Sequence, residues 1–392
     1  MNRRERVLNN LKKRRQRILD GKVNCIPSKF ERFRNDFIGI EQSCYYTITS
    51  FTKGGKSQFV SDVFIFEPLL YCFNNRNISD VKLKVLYFPL EETEDRITER
   101  FMSWLIYIYS KGKLRISPRD LRSTTGAVPE EALEILEIPE VVEVLDYFEE
   151  CVIIAEESGN PTGIYKYCIR YAEEHGTVHY KTVTTKDELG NPKEIKVFDK
   201  YEQDNPNEYR LIVIDTINLV DTERGMTTKQ SMDKLSEYLA KYLRNKYYFS
   251  PVVIQQQAFD QESNDAFKIG RMRPSVAGLG DSKYTSRDSN VVLGLFSPFR
   301  FGLANYEGYN IEKFRDHFRL LEVIVNRDGE MGGLCPLFFD GAVSAFAELP
   351  RPDDREGLEK VYNYIQTLKQ PKKGSSFFIK TIKLLFKKKE NG

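Results

Sequence analysis

Short apolar runs alternate with longer stretches of helical periodicity along most of the chain. Residues 45–49 read as a short strand, followed by a glycine-rich turn and a helix from Ser57 to about Cys72. Residues 84–88 predict a second strand and residues 94–109 a helix. A third apolar strand is expected at 151–155. After it, Asn160 and Pro161 supply an N-cap and an N1 proline for a helix that runs to His175 and Gly176. Residues 210–214 read as a fully buried strand, and a helix at 229–246 follows. Further strands are expected at 252–256, 291–295, 320–325 and 334–339. Continuous apolar strands alternating with helices predict an α/β fold, a mainly parallel twisted sheet with helices on both faces.

Three stretches break this rhythm. Residues 177–201 alternate polar and β-forming side chains around a turn at 187–192, the pattern of an inserted β-hairpin. Residues 259–275 are polar and irregular and read as a long loop. At the start, residues 2–20 form a basic helix with a thin apolar stripe of Val7, Leu8, Leu11, Ile18 and Leu19, too thin to fold without a partner surface. Gly21 ends that helix and Pro27 bars its return. Near the other end, residues 376–389 place Phe378, Ile379, Ile382, Leu385 and Phe386 on one helical face opposite lysines. That face suits a docking peptide, a membrane-surface helix or packing on the chain's own body. The organisation expected is a linker helix over 1–23, a core over 24–349 and a basic tail over 350–392.

Composition narrows the class. The 392 residues are 41% apolar and 30% charged, enough for a sizeable core under a wetted surface. No apolar run is long enough to span a membrane, and the basic N-terminal stretch has no signal-type apolar centre. Six scattered cysteines without a C-x-x-C pair, and three histidines, argue against a zinc site and for a reducing cytoplasm. The net charge of +2 hides an asymmetry. Residues 1–22 carry nine Lys/Arg against two acids, and residues 369–392 carry eight lysines against one acid. The body between them is therefore acidic, which excludes a uniformly basic nucleic-acid coat and leaves local patches.

The chemistry concentrates after the first strand. Ser50, Phe51, Thr52, Lys53, Gly54, Gly55, Lys56 and Ser57, continued by Gln58, follow the phosphate-loop pattern G-x-x-x-x-G-K-[ST] with Ser50 at the first glycine. Glycines let the backbone turn its N–H groups toward phosphate oxygens. Lys56 reaches the β- and γ-phosphates of ATP, and the Ser57 hydroxyl ligates Mg²⁺. Asp215 ends the apolar strand 210–214, where a carboxylate at the sheet's mouth would hold the same Mg²⁺. Glu91 and Glu92 end the second strand. Either one activates the attacking water, or both only start the next helix, where negative charge suits the dipole. Gln255, Gln256 and Gln257 end another strand, where an amide would sense the γ-phosphate or merely terminate the strand.

In this order the features resemble the RecA-like core of DnaB-type hexameric replicative helicases, over about residues 24–349. The resemblance implies a P-loop ATPase that unwinds DNA as a homo-hexameric ring, with ATP and Mg²⁺ bound. It places Glu91 at the catalytic glutamate, Gln257 at the sensing amide and Arg327, in Val-Ile-Val-Asn-Arg-Asp-Gly, at the arginine finger. The loop 259–275 corresponds to a DNA-binding loop, with Lys268, Arg271 and Arg273 on the phosphates of single-stranded DNA. Primase, polymerase or a loader are the implied partners, and the cytoplasm the implied location. Departures are Ser50, Gly280 in Leu-Gly-Asp-Ser where arginine is expected, Val325 where the finger's companion lysine is expected, and a lone helix in place of the family's collar domain. Two other classes share these residues: a RecA- or RadA-like filament ATPase, and a nucleotide-gated loader with little turnover.

Overall fold

A computed structural model of the chain describes residues 2–368 apart from 125, 187, 188, 190, 259–271 and 281. After a helix α1 (Arg3–Leu19), the core begins with β1 (Tyr46–Ser50), all five residues of which are buried. A helix α2 follows over 56–74, with a π-helical stretch at Ser61–Phe66. Then come β2 (Lys82–Pro89), α3 (Glu94–Tyr109), α4 (Pro139–Cys151), β3 (Val152–Ile154) and α5 (Pro161–Glu174). A hairpin of β4 (Gly176–Lys186) and β5 (Pro192–Gln203) leads into β6 (Glu208–Asp215). The chain continues through α6 over 228–247, β7 (Ser250–Gln256), β8 (Val291–Phe296), β9 (Phe318–Asn326), β10 (Leu334–Asp340), β11 (Ala345–Glu348) and α7 (Arg355–Leu368).

Nine of these strands form one sheet in the order β11-β10-β9-β8-β1-β7-β6-β2-β3. The six from β8 to β3 run parallel. The last three turn antiparallel at one edge. The period of two distributes the strands' side chains between two apolar layers. Val85, Tyr87, Leu211, Val213 and Ile254 pack with Phe59, Phe64 and Leu105 of α2 and α3. Leu86, Phe88, Ile212, Ile214 and Val253 pack with Ile164, Leu235 and Leu239 of α5 and α6. Each such fully buried side chain contributes about 1.5–3 kcal/mol.

The mainly parallel sheet, two-sided helices, hairpin and N-terminal helix match the expected α/β architecture. Two features were not anticipated. Between α3 and β3 lie three helices, Pro118–Leu121, Glu130–Leu136 and α4, and Cys151 belongs to the last of them rather than to a strand. The residues after 350 do not start as a free tail, because α7 buries Leu358, Val361, Tyr362 and Ile365 against Phe314, Phe318 and Phe338. The amphipathic stretch 376–389 lies outside the described residues.

Helix α1 buries none of its residues. It is tied at its last turn, where the Arg17 guanidinium grips both Asp80 oxygens at 2.8 and 2.9 Å. Leu11, Ile18 and Leu19 stay more than half exposed. No helix among the described residues is long and apolar enough to cross a membrane.

Candidate nucleotide site

The loop after β1 leaves the buried sheet at its C-terminal end. Gly55 turns the chain into α2 at φ +94°, a left-handed conformation that glycine adopts without a Cβ penalty. A Cβ on Gly54 would stand 2.2 Å from Ser50 Oγ, so serine at the loop's first position requires glycine at the fifth. Ser50 Oγ donates to Phe51 O at 2.9 Å and stays buried. Lys56 Nζ folds back over the loop, 3.4 Å from Ser50 O and 3.2 Å from Phe51 O. Gln58 reaches across to Gly341 O at 2.6 Å.

Asp215 ends β6 two strands away, with β7 between. Its carboxylate accepts from Ser57 Oγ at 2.9 Å and from Tyr87 Oη at 2.8 Å. Burial raises the Asp215 carboxyl above the ordinary carboxylate range, while those two hydrogen bonds and the Arg100 charge pull it back. A buried carboxylate beside a hydroxyl is a pair of hard oxygen donors of the kind Mg²⁺ takes, and a bound cation would relieve the desolvation. Ser57 and Asp215, named from sequence as the metal pair, are thus in contact.

The two glutamates at the end of β2 have different surroundings. Leu90 N donates to Asp215 O at 2.8 Å, which pins this strand end beside the carboxylate. Glu92 is paired with Arg100, a buried side chain that also reaches Ser61 Oγ at 3.2 Å. Glu91 is exposed and makes no hydrogen bond or ion pair among the described residues. One acid is spent on structure and the other is available for chemistry.

The glutamines at the end of β7 sort similarly. Gln257, named as the sensing amide, is buried, and its Nε2 donates to Thr49 Oγ1 at 2.9 Å and Ser275 O at 3.1 Å. Its Oε1 accepts from Ser275 N at 3.2 Å, so the amide is fully engaged away from the loop. Gln255 is buried on Ser282 and Thr285. Gln256 is the amide that meets the phosphate loop, donating to Thr52 Oγ1. The alternation of the strand explains the shift: 255 and 257 share one side and 256 takes the other.

Sequence reasoning passed over Arg319. It lies 1% exposed in β9, its Nε donating to Gly54 O at 2.9 Å. Its Nη1 donates to Asp316 O and Phe318 O, and the guanidinium stacks on Phe339 at 4.4 Å. Burial lowers its pKa, with Asp316 partly compensating. This guanidinium occupies the Gly54 carbonyl and so fixes one peptide of the loop. A lone arginine inside the run Phe-Arg-Leu-Leu-Glu-Val-Ile-Val was the signal.

Arg327 stands beyond the other end of β9. Asn326 pairs with Val291, which pairs with Tyr46 at the start of β1. The phosphate loop follows Ser50, so the two are separated by the length of β1, roughly 17 Å at ~3.3 Å per residue. Arg327 is exposed and cannot reach its own loop. Arg273, expected on DNA, is occupied by Tyr306 and Glu307, with Glu322 at 3.6 Å. Lys268 and Arg271 lie outside the described residues.

No family model and no curated protein matches the sequence. Solved structures do match by shape. The structure of a DnaB-like replicative helicase and its interactions with primase superposes with TM-score 0.58 at 13% identity, over 83% of this chain and 64% of that one. The chain therefore spans just under two thirds of that protein. A solved ATPase domain of another protein superposes with TM-score 0.61 at 13% identity, over 88% of this chain and 98% of that domain. A RadB recombinase superposes at TM-score 0.38 and 11% identity, over 83% of this chain and 97% of that one. The chain has the RecA-like P-loop ATPase fold, in the form seen in DnaB-like helicase cores.

Proposed function

We propose that the chain is an ATP-driven motor on single-stranded DNA, a replicative helicase that unwinds duplex DNA as a homo-hexameric ring in the cytoplasm. The observation that carries this reading is the Ser57–Asp215 contact at 2.9 Å beside an unpaired Glu91, at the foot of a phosphate loop. Loop N–H groups from Lys53 to Ser57 cradle the phosphates, with Gln58 behind them. Lys56 leaves its two carbonyls for the β- and γ-phosphates. Ser57 and Asp215 hold Mg²⁺, which supplies charge neutralisation when bound. Glu91 accepts a proton from the attacking water, and the γ-phosphoryl group passes to that oxygen as ADP leaves. Gln256, touching Thr52, is the amide placed to sense the γ-phosphate.

Arg327 acts on a neighbour's nucleotide, because its own loop is out of reach. Lys268 and Arg271 contact DNA phosphates, while Arg273 anchors the loop's exit through Glu307 and Glu322. The motor unit spans 24–349 with α7 packed on it. The helix over 1–23 and the stretch after 368 are left for a neighbouring subunit, primase, polymerase or a loader. Strand displacement on a forked duplex, with electron microscopy of the particles, tests this. Closed rings that separate strands only with ATP are expected. Open filaments, or rings that never separate strands, refute it.

A further inference from the structure

The buried run of β2 carries one polar side-chain atom. Val85, Leu86 and Phe88 are apolar, and Tyr87 among them is 1% exposed. A phenol hydroxyl sunk this deep loses water and needs a partner inside the protein. Tyr87 finds it in Asp215, donating to Oδ2 at 2.8 Å. The register shows how the ring reaches. Tyr87 stands opposite Val213, and Pro89 opposite Asp215. The carboxylate is thus two residues further along the sheet, roughly 7 Å at ~3.3 Å per residue, a span for an aromatic ring and not for a serine or threonine. Tyr87 and Val213 lie in the layer packed by α2, the helix that carries Ser57.

The two oxygens of Asp215 therefore have different surroundings. Oδ1 accepts from Ser57 Oγ at 2.9 Å, on the side of the phosphate loop. Oδ2 is held by Tyr87 alone among the described residues. Arg100 of α3 gives its hydrogen bonds to Ser61 Oγ and Glu92, not to Asp215. A carboxylate pinned at one oxygen offers a cation the other. Mg²⁺ is small, demands octahedral geometry and keeps several of its waters, so a single carboxylate oxygen suits it. Ca²⁺ is larger, takes more ligands and readily uses both oxygens of a carboxylate.

We propose that Tyr87 sets which cation this site accepts. By occupying Oδ2 it leaves Asp215 one oxygen for a metal, beside Ser57 Oγ, and so favours Mg²⁺ over Ca²⁺. The proposal rests on the ATPase reading above and makes Tyr87 a positioning residue that acts through Asp215.

The test uses the full chain, wild type against Tyr87→Phe, which keeps the ring and removes the hydroxyl. Binding of a fluorescent ATP analogue is titrated with Mg²⁺ and, separately, with Ca²⁺, and is also measured in chelator. Wild type should half-saturate at lower Mg²⁺ than Ca²⁺. In Tyr87→Phe the half-saturating Mg²⁺ should rise by ~10–100-fold, the usual cost of losing a partner behind a metal ligand. The half-saturating Ca²⁺ should rise less or fall, so the preference narrows, while affinity in chelator and assembly by light scattering stay unchanged. Equal shifts for both cations, or no shift, overturn the role in cation choice and leave the ATPase reading standing. A loss of affinity in chelator as large as that with either cation confines Tyr87 to packing and overturns it too. If Tyr87→Phe fails to fold, wild type decides: half-saturation at equal Mg²⁺ and Ca²⁺ refutes the proposal. A wild-type chain that binds no analogue with or without cations overturns the underlying reading itself.

Discussion

Glu91 and Glu92 are adjacent in sequence, yet their environments predict opposite phenotypes for the same substitution. Glu91→Gln removes a charge from an exposed side chain without a partner, so stability should change by no more than about 0.5 kcal/mol. Turnover should fall by ~10²–10⁴, the worth of a general base, which is roughly 2.7–5.5 kcal/mol of barrier. Glu92→Gln instead leaves the buried Arg100 with Ser61 Oγ at 3.2 Å and no carboxylate in contact. Breaking a fully buried pair costs ~3–5 kcal/mol and an exposed one ~0–1. Glu92 is 26% exposed, so about 1–3 kcal/mol is expected, a shift of several degrees in Tm. The assay is steady-state ATPase beside thermal unfolding and ATP-analogue binding for both variants. The reasoning is refuted if Glu92→Gln abolishes turnover at unchanged stability while Glu91→Gln remains active.

Three further outcomes follow from the same structure. Lys56→Ala should cut turnover by more than ~10² with near-wild-type circular dichroism, because the ammonium sits over the loop at Ser50 O and Phe51 O, where it can turn to an incoming phosphate; unchanged turnover would remove the loop assignment. Arg319→Met strips the donor from Gly54 O and leaves that carbonyl and Phe318 O, both buried, short of a partner, so unfolding should ease by about 2–4 kcal/mol and nucleotide affinity fall; equal affinity in a binding titration would confine Arg319 to packing. The hydrogen bond from Arg17 holds the Asp80 carboxyl down at about 2, so its tether is fully present above the unfolded value near ~3.9 and is lost as pH falls through about 2. After discounting for solvent screening it is worth on the order of 1 kcal/mol, and Asp80→Asn should raise hydrogen exchange in α1 at neutral pH.

The parts most legible in the sequence were those dictated by unbroken local patterns. Ile212, Val213 and Ile214 read as a strand buried on both faces because no polar residue interrupts them, and the glycine-rich turn before Lys56 fixes where α2 starts. The amphipathic helices at 118–151 were missed, since an acidic surface masks their thin apolar face and the last of them runs without a break into β3. The antiparallel direction of β9 to β11 was equally hidden. Apolar alternation gives a strand's faces but not its sense, which the turns at 327–333 and 341–344 decide. Which of Gln256 and Gln257 faces Thr52 was not legible, because at a strand end one residue of register reverses a side chain's direction. Arg319 escaped notice because its role depends on Gly54, 265 positions away in the chain.

If the chain is a DNA motor, hydrolysis at this loop is coupled to single-stranded DNA. The most direct measurement is the ATPase rate of the full chain against increasing single-stranded DNA, with Glu91→Gln as the inactive control. A basal rate that rises several-fold to saturation, weakens with salt and vanishes in the control is expected. A rate that survives in Glu91→Gln, or one that single-stranded DNA leaves unchanged across the whole range, would contradict it.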